Sequence, residues 1–481
     1  MTEITTYAHL IGGELRAADQ TLDTVDPATG KVWARIPRGT AQDADDAVAA
    51  ARRAFPKWSS MPAGGRAFFL RKVAEVFTAH ARELAELETR DNGRIINETS
   101  KLDLPGMTYL WQNAAGEAAS AVEGKSVIFG PGSMGYTRRE PYGVVVGIIP
   151  WNSPISTFSA KAAYALAAGN TVVIKPAEQA SASMLRLGEL LRDVLPKGVL
   201  NIVSGLGEEV GDRLVRHKDV GRVSLTGSTE TAKIITRAST DALKPLALEL
   251  GGKSPNIVFA DADLDKAAEG VSTRAIFTGN AGQACLAGSR ILVQRPVYDE
   301  VVARVRERMA AIRLGDPQSA ETTMGPIVSR EQYERVISYI ELGQKEGAEL
   351  LHGGRHGAEL VTEEFAEGYW VEPTLLATTD NSLRVCQEEI FGPVAVILPF
   401  DTYEEAIAIA NDSPYGLASG VWTTSLATAQ RAAQDIQAGY VWVNTFRRVA
   451  PGLPFGGWKD SGYGHDALLE NTREKSVILD L

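Results

Sequence analysis

The length, composition and charge of the chain narrow the classes of protein to which it can belong. Its 481 residues are too many for one simple core, and 44% hydrophobic with 23% charged residues is neither a disordered nor a fibrous composition. A net charge of -11 argues against a nucleic-acid partner, because phosphate binding draws on clustered lysine and arginine.

The amino terminus and the cysteines indicate a cytoplasmic protein. Residues 1–18 lack a basic start followed by an apolar run, and their acidic side chains argue against a transit peptide. The apolar run at residues 143–149 is far shorter than the ~18 residues of a membrane-spanning helix, so no membrane partner is expected. Cys285 and Cys386 are too few for a disulfide framework, which favours a reducing compartment.

The chain alternates short β-branched runs with helical patterns, which predicts an α/β fold with a parallel sheet covered on both faces. A first helix is predicted over residues 43–55, where acids come first and arginines last. A longer helical pattern carries one apolar stripe from Phe69 to Leu87 and should end at Asn92 and Gly93. The predicted strands lie at residues 143–149, 171–174, 200–203, 222–225, 256–259, 291–293 and 394–398.

Two segments stand apart from this alternation. Residues 126–141 contain a glycine- and proline-rich turn followed by an extended run at 136–139, which predicts a hairpin that leaves the main body. Residues 476–481 form an apolar tail able to pair as a strand. Because edge strands leave backbone donors and acceptors unpaired, we expect both segments to recruit a neighbouring subunit.

Three residues are of types suited to nucleophilic chemistry. Cys285 lies among small residues that let the backbone approach a bound molecule, although a lone cysteine is more often an inert core residue. Glu249 is flanked by leucines, a setting that raises a carboxyl pKa towards that of a base for water, although most glutamates lie on the surface. Asn152 follows a predicted strand, where ligands bind in open α/β sheets, and either stabilises an oxyanion or forms a turn.

In this order these segments resemble the aldehyde dehydrogenase superfamily, from about residue 11 to the C-terminus. The motifs that carry the resemblance are 150–152 (PWN), 175–178 (KPAE), 225–230 (LTGSTE), 249–256 (ELGGKSPN), 282–285 (GQAC), 388–393 (EEIFGP) and 454–457 (PFGG). The resemblance implies a Rossmann-type dinucleotide-binding domain at 1–121 and 140–250 and an α/β catalytic domain at 251–452. It also implies a small β element at 122–139 and 470–481 for oligomerisation, and therefore a homodimer or homotetramer.

The resemblance implies oxidation of an aldehyde to a carboxylate through a thioester. Cys285 attacks the aldehyde, and the Asn152 amide and the Cys285 backbone N–H hold the resulting oxyanion while hydride passes to a nicotinamide. Glu249 then activates the water that hydrolyses the thioester. Lys161 belongs to a proton path in which Asp466 stands where the family usually has a glutamate, so its reach is shorter. No metal is implied.

The cofactor implied is NAD, with NADP possible. Glu178 would repel a 2′-phosphate and Ala177 offers no hydroxyl to bind one, which favours NAD. The residues that match cofactor-binding positions of the family are Ile149, Pro150, Trp151, Lys175, Glu178, Gly207, Gly227, Ser228, Leu250, Glu389 and Phe391.

The substrate tunnel implied by the resemblance is wide and polar. The residues that match substrate-binding positions are Ser153, Thr157, Ala284, Leu286 and Phe455. The family commonly has large apolar residues at the positions of Ser153, Ser156, Thr157 and Ala160, which are all small here. Arg447 and Arg448 border the tunnel mouth, where they either attract a carboxylate on the aldehyde or are solvated surface residues.

Two other functions fit the same scaffold. A CoA-acylating dehydrogenase would resolve the thioester with a thiol, but such relatives tend to lack a base at the position of Glu249. A non-catalytic nucleotide-binding protein would have no reason to retain Cys285, Glu249 and Asn152 together. The sequence therefore favours the hydrolytic enzyme acting on a small-molecule aldehyde.

Overall fold

The computed structural model of the protein describes residues 4–120 and 124–480. The predicted domain boundary at 121 and 122 and the last residue of the predicted tail, 481, lie outside the described residues. Within the described ranges, no helix is both long and apolar enough to cross a membrane.

Strands and helices alternate through most of the chain. The strands are β1 (Thr5–Thr6), β2 (His9–Ile11), β3 (Glu14–Arg16), β4 (Thr21–Asp26), β5 (Lys31–Pro37), β6 (Ser126–Gly130), β7 (Ser133–Pro141), β8 (Val144–Ile148), β9 (Thr171–Lys175), β10 (Leu200–Ile202), β11 (Val220–Thr226), β12 (Leu246–Glu249), β13 (Pro255–Val258), β14 (Arg290–Gln294), β15 (Glu349–His352), β16 (Thr374–Ala377), β17 (Val394–Phe400), β18 (Tyr415–Gly416), β19 (Ala418–Trp422), β20 (Tyr440–Val443), β21 (Trp458–Lys459), β22 (Gly462–Tyr463) and β23 (Thr472–Asp480). The α-helices are α1 (Ala41–Ser59), α2 (Ala63–Ala79), α3 (Ala81–Asn92), α4 (Ile96–Glu98), α5 (Leu104–Ser120), α6 (Pro154–Ala167), α7 (Ala182–Leu191), α8 (Asp212–Arg216), α9 (Thr229–Ser239), α10 (Leu264–Val271), α11 (Tyr298–Ala310), α12 (Arg330–Lys345), α13 (Arg384–Gln387), α14 (Tyr403–Asn411) and α15 (Leu426–Asp435).

Two large sheets organise the molecule. The first has the strand order β22-β12-β11-β8-β9-β10-β2-β3, and its five strands from β12 to β10 run parallel. The second has the order β15-β16-β17-β14-β13-β19-β20 and is parallel except at β15. Their central strands are buried on both faces, which explains why they read as continuous β-branched runs. The α/β prediction is confirmed, and each of the seven predicted strands forms with its ends shifted by at most two residues.

The helical patterns are confirmed with two differences. Helix α1 begins earlier than predicted, where Thr40 and Asp43 form a capping box, and it also ends later. The stripe from Phe69 to Leu87 is divided between α2 and α3, since His80 leaves helical geometry with φ −112° and ψ 17°. Apolar residues on either side of His80 are seven residues apart, which is also the spacing within one continuous helix. The sequence pattern therefore gave no sign of the break. Gly93 ends α3 with φ 81°, as predicted.

The hairpin and the C-terminal tail form a small sheet with the order β23-β7-β6. The prediction that residues 136–139 form an edge strand is wrong, because β7 is central and is paired with β6 on one side and β23 on the other. The partners are distant in sequence, as for Lys475 and Glu140, which form an ion pair across 335 residues. The free edges belong to β6 and β23, and Ile128 and Ile478 on these strands are exposed.

Candidate active site

The three residues suited to nucleophilic chemistry meet at the carboxyl edge of the first large sheet. Glu249 is the last residue of β12, and Asn152 lies in the loop between β8 and α6. Cys285 lies in the loop that precedes β14 of the second sheet. A Cβ on Gly252 would come within 2.6 Å of the Cys285 carbonyl oxygen, so the backbone after Glu249 packs directly on the cysteine. Ligands of open α/β sheets bind at this edge.

The loop that carries Cys285 is fixed by close backbone contacts and by hydrogen bonds of its own buried side chains. Ala281 has φ 51°, an uncommon conformation for a residue with a Cβ, and Gly282 has no room for one because the carbonyl of Gly392 would lie 2.2 Å away. The buried Gln283 donates from Nε2 to the Asn280 carbonyl at 3.0 Å and accepts from the Val328 amide at 3.0 Å. Sequence reasoning missed Gln283 and Asn280 as the residues that shape this loop.

Asn152 is buried and fixed at both its backbone and its side chain. Its carbonyl accepts hydrogen bonds from Asn280 Nδ2 at 2.9 Å and Asn92 Nδ2 at 3.4 Å. Its own Nδ2 donates to the Gln283 carbonyl at 2.8 Å. Gln283 precedes Cys285 by two residues in the chain, so the carboxamide binds the same loop as the cysteine. A carboxamide nitrogen carries two protons, so this contact with Gln283 leaves one for another acceptor near the cysteine.

The Cys285 thiol is half-buried, and its surroundings keep it protonated. Burial raises the pKa of Cys285 to about 12, and the negative charges of Glu389 and Glu249 contribute further. Glu389 in turn accepts from the Gly252 amide at 2.9 Å, and burial raises the pKa of Glu389 to about 7. Gly251 makes this contact possible, since a Cβ there would lie 2.2 Å from the Glu389 carboxylate.

Glu249 is a buried carboxylate with the features of a general base. Burial raises its pKa well above the usual value, with a further rise from Asp466 and an opposing effect from Lys161. Among residues 4–120 and 124–480, neither carboxylate oxygen of Glu249 has a hydrogen-bond partner. The group can therefore accept a proton from a molecule placed between it and Cys285.

Lys161 and Asp466 meet behind Glu249. Lys161 Nζ lies 3.0 Å from Asp466 Oδ2, so the shorter acidic side chain still reaches the lysine. The hydroxyl of Ser224 and the guanidinium of Arg222 also bind Asp466. Sequence reasoning missed both, because a serine and an arginine in a predicted strand carried no local signal.

The predicted cofactor residues line the same edge and the turns beside it. The rings of Trp151 and Phe391 meet edge to face at 5.2 Å, next to Glu389. Lys175 is buried and lies 3.3 Å from Glu178. Aromatic rings, carboxylates and a lysine at this edge suit the rings and ribose hydroxyls of a dinucleotide, so the residues present fit NAD.

The remaining predicted cofactor residues lie at strand ends and in turns. The Gly227 amide donates to the Glu249 carbonyl at 3.1 Å, and Ser228 caps α9 by accepting from the Thr231 amide. Ile149 is buried, and Pro150 lies beside it. The amide of Leu250 donates to the Ser461 carbonyl at 3.0 Å. Gly207 begins the π-helical turn Gly207–Gly211.

The predicted substrate residues have half-buried side chains. Ser153, Ser156, Thr157 and Ala160 lie at the start of α6 and along its first turns, Ala284 and Leu286 flank Cys285, and Phe455 contacts Tyr440 at 5.8 Å between ring centroids. Arg447 does not present a free guanidinium, since its Nη2 lies 2.8 Å from Glu98 Oε1. Arg448 is exposed.

Comparison with known proteins identifies the family. The aldehyde dehydrogenase family matches residues 15–477. DhaS of Bacillus subtilis is 42% identical over 472 residues, which cover 97% of this chain and 93% of DhaS. PnpE of Pseudomonas sp. WBC-3, solved with nicotinamide adenine dinucleotide, has 42% identity and a TM-score of 0.95 over 98% of this chain and 97% of that one. Betaine aldehyde dehydrogenase of Staphylococcus aureus, solved with NAD+ and a BME-modified cysteine, has 37% identity and a TM-score of 0.94 over 98% and 97%. The chain belongs to the aldehyde dehydrogenase family.

Proposed function

We propose that the protein oxidises an aldehyde to a carboxylate with NAD, through a thioester on Cys285 that water hydrolyses. The observation that carries the proposal is the proximity of two groups to Cys285: the Asn152 amide binds the Gln283 carbonyl two residues before it, and the buried carboxylate of Glu249 raises the pKa of its thiol. PnpE and the Staphylococcus aureus enzyme, both similar over nearly the whole chain, bind NAD and thus support that cofactor.

In the first half of the reaction Cys285 is the nucleophile. Its thiol gives its proton to solvent water as the sulfur bonds to the aldehyde carbon, and the π-electron pair of the carbonyl moves onto its oxygen, which becomes the oxyanion. Asn152 Nδ2 and the Cys285 backbone N–H donate to this oxyanion, and loss of one such donor typically costs ~3–4 kcal/mol of barrier. NAD, when bound, would accept the hydride, and Trp151, Glu389 and Phe391 would hold and orient it.

In the second half Glu249 is the base. It takes a proton from water as the water oxygen attacks the thioester carbon, and the Cys285 sulfur leaves. The raised pKa of Glu249 makes it a stronger base than an exposed carboxylate. A CoA-acylating enzyme needs no such base, so this buried carboxylate favours hydrolysis.

We propose that the protein acts as a homodimer or homotetramer in the cytoplasm. The free edges of β6 and β23 can pair with a second copy, and exposed apolar side chains such as Ile128, Phe129 and Ile478 would be covered there. The free thiols of Cys285 and Cys386 favour a reducing compartment.

The test compares two cysteine variants in an assay of reduced nicotinamide with an aldehyde panel. We expect Cys285→Ser to abolish turnover and to leave NAD binding nearly intact, because serine is far less nucleophilic at neutral pH. Cys386→Ser is the matched control, since that thiol is fully buried in the hydrophobic core around the second sheet, and it should keep the wild-type rate. Substantial turnover by Cys285→Ser would contradict the mechanism.

The same assay tests the cofactor and the acceptor of the acyl group. We expect a higher kcat/KM for NAD than for NADP, because Glu178 would repel a 2′-phosphate. We expect full turnover without CoA. A strict requirement for CoA would assign the protein to the acylating class.

A further inference from the structure

A buried polar cluster lies behind Glu249 and includes a serine that the reaction described above does not use. Ser224 is fully buried on β11, and its Oγ accepts from Lys161 Nζ at 2.6 Å. The same hydroxyl donates to Asp466 Oδ2 at 2.8 Å. A hydroxyl has one proton, so these two contacts fix its orientation: Lys161 donates to Ser224, and Ser224 donates to Asp466.

Arg222 holds the other side of Asp466. It lies two residues before Ser224 on the same strand, so both side chains point to one face of the sheet. Its Nη1 lies 3.2 Å from Asp466 Oδ1, and its Nη2 donates to the His465 carbonyl at 2.7 Å. Arg222 thus anchors the backbone next to Asp466 as well as the carboxylate.

The cluster acts on Glu249 through charge. Asp466 is faced by Lys161 from α6, by Arg222 and Ser224 from β11, and by Glu249 from β12. The positive groups and the Ser224 hydroxyl hold the pKa of Asp466 below its usual value despite burial. Asp466 therefore stays ionised beside Lys161, which would otherwise lower the pKa of Glu249 unopposed.

We propose that Ser224 is a positioning residue for the base: its hydroxyl holds the shorter Asp466 side chain against Lys161, so that the charge of Lys161 remains paired and Glu249 stays strongly basic. The inference rests on the proposed function, because it takes Glu249 as the base of the hydrolytic step. Ser224 touches both members of the Lys161–Asp466 ion pair, so its hydroxyl can hold the aspartate in the position that allows the direct contact with the lysine.

The experiment isolates hydrolysis from hydride transfer. Attack of Cys285 on p-nitrophenyl acetate expels p-nitrophenolate and leaves an acetyl thioester, which water and Glu249 then hydrolyse without any nicotinamide cofactor. Burst amplitude reports acylation, and the steady rate reports hydrolysis. The steady rate is measured against pH for the wild type and for Ser224→Ala, Asp466→Glu and the double variant.

We expect Ser224→Ala to keep the burst. The plateau, which is the highest steady rate reached across the pH range, should fall about tenfold, because one charge-assisted hydrogen bond is lost. The acid limb of the profile is the low-pH side, where the rate falls as Glu249 becomes protonated. Because in this variant Lys161 lowers the pKa of Glu249, this limb should move to lower pH. Asp466→Glu alone should be slow, since the longer side chain meets Ser224. In the double variant the glutamate fills the space left by the hydroxyl, so the rate and the acid limb should return towards wild type.

The control is Ser419→Ala, which removes another fully buried strand hydroxyl, one that donates to the Pro255 carbonyl at 3.0 Å. It should destabilise the fold to a similar degree and leave the pH profile unchanged. The inference is overturned if Ser224→Ala lowers the plateau without moving the acid limb, or if the double variant is no faster than Ser224→Ala. An inactive wild-type protein would instead contradict the proposed function.

Discussion

Burial disfavours the charged forms of both Cys285 and Glu249 and raises the pKa of each. The thiol, with a pKa of about 12, becomes nucleophilic only as its proton leaves, which limits reaction with other electrophiles. The carboxyl group of Glu249 gains basicity from the same burial. The two halves of the reaction therefore depend on separate residues and can be separated by substitution.

We expect Glu249→Gln to retain a burst of reduced cofactor followed by a slow steady state. The reason is that thioester formation needs no activated water, whereas hydrolysis does. Stopped-flow absorbance resolves the two phases. An unchanged steady state in this variant would assign the base to another residue.

The pH dependence of the wild type should report the same carboxyl group. Below the raised pKa of Glu249 the base is protonated and cannot accept a proton from water, so the steady rate should fall as pH falls through that value. The loss should begin at a pH well above the usual carboxyl range. A rate that is flat down to pH 5 would contradict the assignment.

At the scale of single elements, β23 is the strand whose removal should affect assembly most. It pairs with β7 along its whole length and leaves its other edge free. We expect deletion of residues 476–481 to shift the protein to a smaller species in light scattering before it affects the chemistry. Ile478→Lys keeps the backbone pairing and should weaken assembly alone, because it places a charge on the exposed apolar side of the strand. A deletion variant with wild-type mass would contradict this role.

At the scale of the whole molecule, we expect substrate selection to depend on three separate segments: the small residues of α6, the Cys285 loop and the loop before β21. We expect benzaldehyde and hexanal to be turned over with a higher kcat/KM than acetaldehyde, because a wide tunnel places a small aldehyde poorly. A clear preference for acetaldehyde in steady-state kinetics would contradict a wide tunnel.

Because Arg447 is paired with Glu98, the exposed Arg448 is the one of the two arginines that can attract an anionic aldehyde. We expect Arg448→Ala to lower kcat/KM for succinic semialdehyde and to leave benzaldehyde nearly unchanged. Arg447→Ala is a poorer probe, because it removes a partner of the buried Glu98, and breaking a buried ion pair costs roughly 3–5 kcal/mol of stability. Equal rates for Arg448→Ala and wild type on both aldehydes would eliminate charge selection at this position.

The sequence by itself determined the residue types of the reaction and the α/β alternation that carries them. Short motifs around Asn152, Glu249 and Cys285 are local, and strand or helix periodicity is local too, so both can be recognised without a structure. The end of α3 at Gly93 was predictable for the same reason.

Tertiary structure alone decided which distant groups meet. Ser224 and Asp466 are 242 residues apart, and Arg447 and Glu98 are 349 apart, yet each pair is hydrogen-bonded. The central place of β7 likewise depends on a partner from the other end of the chain. Contacts of this kind depend on how whole elements pack, and a side chain that joins them leaves no periodic or local pattern in the sequence.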